Sequence, residues 1–438
     1  MSVIGSGKRG CGFLFRVSAL SLGVIALYAG LSLAGDAISP GETLDVSRCI
    51  DIALERHPAL TGAAGALDAS RSRVSQAKAG YYPRIDLSTG YERSRPASGS
   101  GSAAQADDEY RGRADLSQTI FDFGRTSGSV KVNSLFAESS RADYEDTSTR
   151  VVFNVKQAYY DLLKSRKNKD ALAETVLRYE KLLGQAKRFY EAGIKPRIDV
   201  TMSEVDLSRA RLDILKAENA LRIARIALNN AMGVPDAPAY EVAEDPGAPD
   251  SPLDLETALE KGLTSRPDLL SAVAQREAAE RSVDLARTGY YPILSGSAGY
   301  GWTGEEFPLE REWSLGAALT FPLFNGFSTR HRVQEARAGV NIYRGSEELV
   351  RQNVRYEIEQ AFSNVREARE RIALAELLVR HARQNRELAQ GRYARGVGST
   401  IEVTDALLAE VDAETEQITA LYDYRIAVAS LDKAMGVK

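Results

Sequence analysis

The sequence predicts an internally duplicated membrane protein of mixed α/β class. One chain supplies four membrane-spanning strands and very long coiled helical hairpins. Three observations carry this. The chain repeats its own succession of motifs once. Each copy holds two segments of period two whose apolar faces end in aromatic residues. Each copy also holds a proline-free stretch of about 70 residues, roughly 100 Å as a helix.

The start of the chain reads as a targeting segment. Lys8, Arg9 and Arg16 precede an uncharged apolar run from Val17 to Ala34, and small residues follow at once. A positive flank, an apolar core and a small-residue exit are the parts of a secretory signal, so residues 1–35 are assigned to one. Gly5 to Gly10 spells GxGxxG, but it follows no strand and lies inside this segment, so it carries no nucleotide-binding meaning. The alternative for the run is a single membrane anchor.

Composition bounds the rest. Of 438 residues, 26% are charged and the formal net charge is -4. The mature chain has no repeated apolar runs of the length an inner-membrane helical bundle needs, and the charge suggests no nucleic-acid partner. Three histidines and two cysteines make a His/Cys metal site unexpected. No nucleophile elbow, phosphate loop or acid pair in a cleft-like setting is present, so no enzyme chemistry and no cofactor is expected.

The duplication is read from matched motifs. Leu44-Asp45-Val46 through Leu60 corresponds to Leu253-Asp254-Leu255 through Leu269, Gly80-Tyr81-Tyr82-Pro83 to Gly289-Tyr290-Tyr291-Pro292, and Ala231 to Val234 to Ala434 to Val437. The first repeat is placed at 44–234, a Pro-rich linker at 235–252 and the second repeat at 253–437. Units this long are a two-fold duplication and not a solenoid.

Within each repeat the period changes twice. From Pro58 to Gly80 it is helical, with Pro in the first turn. Strands then follow at about 83–95, 110–121, 292–303 and 312–323. In the last two, Leu294, Ala298, Tyr300 and Trp302, then Trp313, Leu315 and Leu319, alternate with Ser, Gly, Ala and Thr. A soluble hairpin packed on a helix gives similar alternation. However, Tyr91, Tyr110, Tyr300, Trp302 and Trp313 end the apolar faces as at a membrane interface, and the other face is small and polar as in a wet lumen. The Ser/Gly/Ala/Asp-rich stretch from Ser94 to Glu109 reads as an extracellular loop. Four strands cannot close a membrane barrel, and bilayers exclude open edges, so several chains must share one barrel.

Long helices are expected from Gly124 to Ala192 and from Gly326 to Arg395, returning over Asp199–Met232 and Glu402–Met435. Their apolar residues recur at spacings of three and four, as in coiled-coil packing. The return helices are half as long, so the Pro58 helix and its Pro267 counterpart must stack on their ends. Paired turns join them: Tyr190 to Val200, and Tyr393 to Asp405.

In this order, taken twice, these motifs make the chain resemble the TolC-type outer membrane efflux proteins over Leu44 to Val437. The resemblance implies a homotrimer, with a 12-stranded β-barrel in outer-membrane lipid continuous with a 12-helix periplasmic tunnel. It also implies a periplasmic adaptor (membrane fusion) protein as partner, linking the duct to an inner-membrane transporter. Glu402 and Asp405 match positions of lumen-facing acids at the periplasmic entrance. Three apart on a helix, they can face one way, and a trimer would ring six carboxylates. Tyr393 and Asp199 match positions that latch inner to outer hairpins. Gly398 stands where a latch arginine would sit and Ile198 at its partner position, so either Lys195, Arg197 or Arg395 substitutes or the gate is held differently. The turns Gly193, Ile194, Lys195, Arg197 and Gly396, Val397, Gly398, Ser399 are the expected adaptor contacts. The competing reading is a periplasmic or cytosolic coiled-coil scaffold with soluble hairpins.

Overall fold

The computed structural model describes residues 38–95, 107–244 and 254–437. The targeting segment, most of the Ser94–Glu109 stretch and the later half of the linker lie outside these residues. In chain order the elements are β1 (Thr43–Leu44), α1 (Val46–Arg56), α2 (Pro58–Lys78), β2 (Arg84–Ser94), β3 (Asp107–Phe121), α3 (Arg125–Glu191) and α4 (Arg197–Met232). The second repeat gives β4 (Glu241–Val242), α5 (Leu255–Ser265), α6 (Pro267–Arg287), β5 (Ile293–Gly304), β6 (Glu310–Thr320), α7 (Ser328–Ala394) and α8 (Thr400–Ala434).

Both long helices run 67 residues without a break, because neither contains proline and each buries a stripe along its length. On α3 the stripe is Val151, Val155, Tyr159, Leu162 and Leu163, then Tyr179 and Leu182. Each long helix packs along one part on its return helix and along another on the short helix of its repeat. The short and return helices meet in one core: Leu60 of α2 and Leu228 and Met232 of α4 share a cluster with the α3 stripe. Leu269, Val354, Ile358, Leu431 and Met435 do the same in the second repeat. The expected end-to-end stacking is therefore observed.

Four elements were not expected. Helices α1 and α5 precede the two Pro-started helices, and β1 and β4 form a two-stranded parallel sheet. They cover the core where short and return helices abut. Tyr159 Oη donates to the Ala243 carbonyl at 2.7 Å, tying α3 to this belt.

Strands β2, β3, β5 and β6 form one antiparallel sheet in that order. The hairpin β2–β3 keeps an unbroken register from Arg84–Ser117 to Ser94–Asp107, and β3–β5 joins the repeats. Among the described residues the outer edges of β2 and β6 are unpaired. Phe123 and Gly124 (φ 51° and 87°), and Gly326 and Phe327 (φ 63° and 64°), take left-handed backbone where sheet turns into long helix. Asp122 secures the first turn, accepting from the amides of Gly124, Arg125 and Thr126.

Candidate functional site

Two regions carry the functional geometry: the paired turns at one end of the hairpins, and the sheet beyond the other.

The turns meet over a shared core. Tyr179 and Leu182 of α3, Leu207 and Ala210 of α4, Ala389 and Tyr393 of α7, and Val403, Ala406 and Leu407 of α8 form one cluster. Both hairpins thus close on the same apolar contact. The second turn is tightened by backbone bonds: the Gly396 amide donates to Tyr393 O at 2.9 Å, and the Val397 and Gly398 amides both donate to Arg392 O at 3.2 Å. In this conformation a Cβ on Gly398 would stand 2.9 Å from the Tyr393 amide nitrogen and 3.1 Å from Arg392 Cβ. No arginine fits there. The Gly398 carbonyl instead accepts from Lys195 Nζ at 2.9 Å, and that ammonium lies 5.7 Å from the Tyr393 ring centre. Of Lys195, Arg197 and Arg395, Lys195 reaches the Gly398 carbonyl, while Arg197 and Arg395 are exposed.

Tyr393 is 1% exposed. Its hydroxyl and that of Thr400 are buried beside one another, and among the described residues neither reaches a well-formed hydrogen bond. Tyr393 and Asp199 are therefore not bonded to one another here. Burial raises the Tyr393 phenol above its ordinary range, with the Thr400 hydroxyl opposing the shift and the Asp199 charge adding to it.

Glu402 and Asp405 lie in the first turns of α8 and are both exposed. They differ in company. Glu402 pairs with Arg392 at 3.3 Å, and its amide donates to the Ser399 cap at 3.2 Å. Asp405 makes no ion pair among the described residues. Thr404 Oγ1 between them donates to Asp206 of α4 at 3.0 Å. Gly193, Ile194, Gly396 and Val397 are exposed, Ser399 is half-buried and Gly398 is buried. Ile194, Ile198, Val397 and Ile401 leave an apolar surface at the turns.

One cluster escaped the sequence reading. About two turns up from Tyr393, Glu410, whose side chain is 1% exposed, meets Arg386 at 2.6 Å, Arg178 at 3.3 Å and Arg383 at 3.8 Å. Glu414 adds contacts to Arg178 at 3.2 Å and Arg383 at 2.9 Å. Arg178 belongs to the first hairpin and the rest to the second, so this ionic knot joins the two. The only signal in the sequence was two acids four apart on an otherwise apolar helix face.

In the sheet, pairing puts even residues of β2 and β6 and odd residues of β3 and β5 on one face. That face is polar, with Asp86, Glu92, Asp107, Glu109, Asp115, Glu310 and Glu312 against Arg84, Arg111 and Arg113. The opposite face carries Ile85, Leu87, Tyr91, Tyr110, Leu116, Tyr300, Trp302, Trp313, Leu315 and Leu319. Among the described residues no helix is long and apolar enough to cross a membrane.

A two-faced strand sheet continued by 67-residue helical hairpins defines an outer membrane channel with a helical tunnel. The chain belongs to the outer membrane efflux protein family, whose description it matches over residues 49–234 and 258–437. It is 28% identical to protein CyaE of Bordetella pertussis over 91% of this chain and 85% of that one. It is 23% identical to the outer membrane protein TolC of Vibrio cholerae, over 88% and 89% respectively. The fold superposes on the crystal structure of the outer membrane protein VceC of Vibrio cholerae with a TM-score of 0.79, at 19% identity, covering 90% of this chain and 96% of that one. The protein is thus an outer membrane efflux channel and not an enzyme, and the scaffold reading falls.

Proposed function

We propose that three copies of this chain form one duct, a 12-stranded barrel over a 12-helix tunnel. In this reading the duct is the exit of a tripartite efflux or type I secretion system. Substrates would pass to it from an inner-membrane transporter through a periplasmic adaptor.

The observation that carries the reading is unfinished pairing. Edges β2 and β6 leave backbone groups that a bilayer would not tolerate. Two helices also carry exposed apolar residues that repeat every seven positions, the signature of a coiled-coil seam. On α4 these are Ile198, Val205 and Leu212, with Ile226 two such steps further on beyond Asn219; on α7 they are Ile342, Leu349 and Tyr356. A further copy of the same chain supplies what both the edges and the seams lack.

Residues 1–35 direct export in this reading, the two repeats at 44–234 and 253–437 build equivalent sixths of the tunnel, and 235–252 joins them. The turns from Gly193 to Arg197 and from Gly396 to Ser399 meet the adaptor, which the exposed Ile194, Ile198, Val397 and Ile401 favour. Glu402 and Asp405 ring the entrance. Tyr393 and Asp199 are its latch candidates; the Lys195 bridge makes that lysine the one side chain that joins the two turns directly.

The test is to separate inner from outer membranes on a density gradient, cross-link the outer fraction and size it. A trimer in the outer membrane supports the duct. A soluble or inner-membrane species overturns it.

A further inference from the structure

On the polar face of the sheet, one arginine reaches across two strands. Arg113 stands in β3, and its Nε donates to Asp115 at 2.6 Å on the same strand. Its Nη1 donates to Glu312 at 3.1 Å and its Nη2 to Ser314 Oγ at 2.8 Å, both on β6. Strand β5 lies between, so the side chain spans two strand spacings, about 10 Å.

The path is open because β5 carries Gly301 opposite Arg113 and Gly299 one row on. A Cβ on Gly299 would collide with Nη2 and stand 2.9 Å from Cζ; one on Gly301 would stand 3.2 Å from Arg113 Cα and Cβ. Glycine weakens a strand interior and marks places where another group approaches closely. Here the pair forms a trough with the arginine lying in it.

We propose that Arg113, held flat in this trough, sets the ion selectivity of the barrel. It adds positive charge to a wall where acids outnumber arginines, without projecting into the passage. This rests on the sheet being part of a trimeric barrel with its polar face to the lumen. Ions there feel wall charges within a Debye length, about 10 Å at 0.1 M salt, so three such guanidiniums, one per chain, act on every ion that passes.

The experiment uses the full-length protein in planar bilayers under a KCl gradient near 0.1 M. Arg113→Gln should raise the K⁺ over Cl⁻ permeability ratio about two- to threefold, and less at 1 M, where the Debye length is about 3 Å. Arg113→Lys, which keeps the charge, should bring the ratio back toward wild type. Gly299→Ala should push the guanidinium into the lumen and lower conductance by roughly half, and adding Arg113→Gln should restore it. If wild type forms channels and Arg113→Gln channels keep the wild-type permeability ratio, the assignment is overturned. A staple that only holds strands together would lower the heat resistance of the trimer without moving the reversal potential. A wild-type chain that forms no channel overturns both this assignment and the duct on which it rests.

Discussion

The ammonium of Lys195, in the turn of the first hairpin, sits 2.9 Å from the carbonyl oxygen of Gly398, in the turn of the second. The residues are about 200 positions apart, and one hydrogen bond fastens the two hairpin ends. Gly398 contributes by having no side chain: the tight turn leaves no room for a Cβ and presents the carbonyl instead.

Losing this bridge should loosen the entrance. A hydrogen bond from a charged donor contributes about 1.5–3 kcal/mol, and Lys195 is only half-buried, so the lower figure applies. Lys195→Met should raise the open-to-closed ratio about tenfold in planar-bilayer recordings. Lys195→Arg should retain most of the closure. An unchanged ratio in Lys195→Met would show that the bridge does not hold the gate.

The Tyr393 ring should matter more than its hydroxyl. Among the described residues the hydroxyl has only the neighbouring Thr400 hydroxyl beside it and no well-formed bond, while the ring fills the core shared by both hairpins and packs on Phe189 at 5.4 Å. Tyr393→Phe should change resting conductance less than threefold. Tyr393→Ala leaves a cavity costing about 3–5 kcal/mol and should raise resting conductance strongly. A large effect of the Phe variant would mean that the hydroxyl finds a partner such as Asp199 in the assembled entrance.

If Glu402 and Asp405 ring the entrance as proposed, the two acids should be unequal. Arg392 offsets the charge of Glu402, whereas Asp405 has no such partner. Asp405→Ala should therefore weaken cation preference and block by divalent ions more than Glu402→Ala. Equal effects would mean that the Arg392 pair does not persist in the trimer.

Glu410→Gln should destabilise the hairpin pair. Removing one charge of a fully buried ion pair costs about 3–5 kcal/mol; Arg178 and Arg386 stay only partly buried and Arg383 is exposed, so the loss here should fall below that range. Three arginines surround Glu410. The check is the denaturation midpoint of the purified protein; a change within error would show that Glu414 alone sustains the knot.

The duplication also predicts a contact between chains. Helices α3 and α7 start at Arg125 and Ser328, and α2 and α6 at Pro58 and Pro267. Ile342 therefore holds in α7 the place of Ser139 in α3, and Gly62 in α2 that of Ser271 in α6. Ser139 and Ser271 hydroxyls touch at 2.9 Å inside the chain. Between chains, the large Ile342 should lie against the side-chain-free Gly62. Oxidising a Gly62→Cys, Ile342→Cys variant should give covalent trimers on a denaturing gel, since touching β-substituents match disulfide reach. Exclusively monomeric bands would refute the repeat-equivalent packing.

The sequence by itself determined what depends on local periodicity. Alternation from Trp313 to Phe321 requires a strand with one apolar face, and 67 residues without proline allow an unbroken helix. The matched Gly-Tyr-Tyr-Pro entries reveal that the architecture occurs twice. The belt of α1, α5 and the β1–β4 pair was not legible, since strands of two residues have no period to read and their pairing joins Leu44 to Val242 across the whole repeat. Only the tertiary structure decided which side chains meet across the repeats: Lys195 with Gly398, Arg178 with Glu410, Arg113 with Glu312. A charged residue on a helix or strand has many partners within reach, and sequence spacing does not rank them. Packing does, by fixing which helix faces which and where a missing Cβ leaves room.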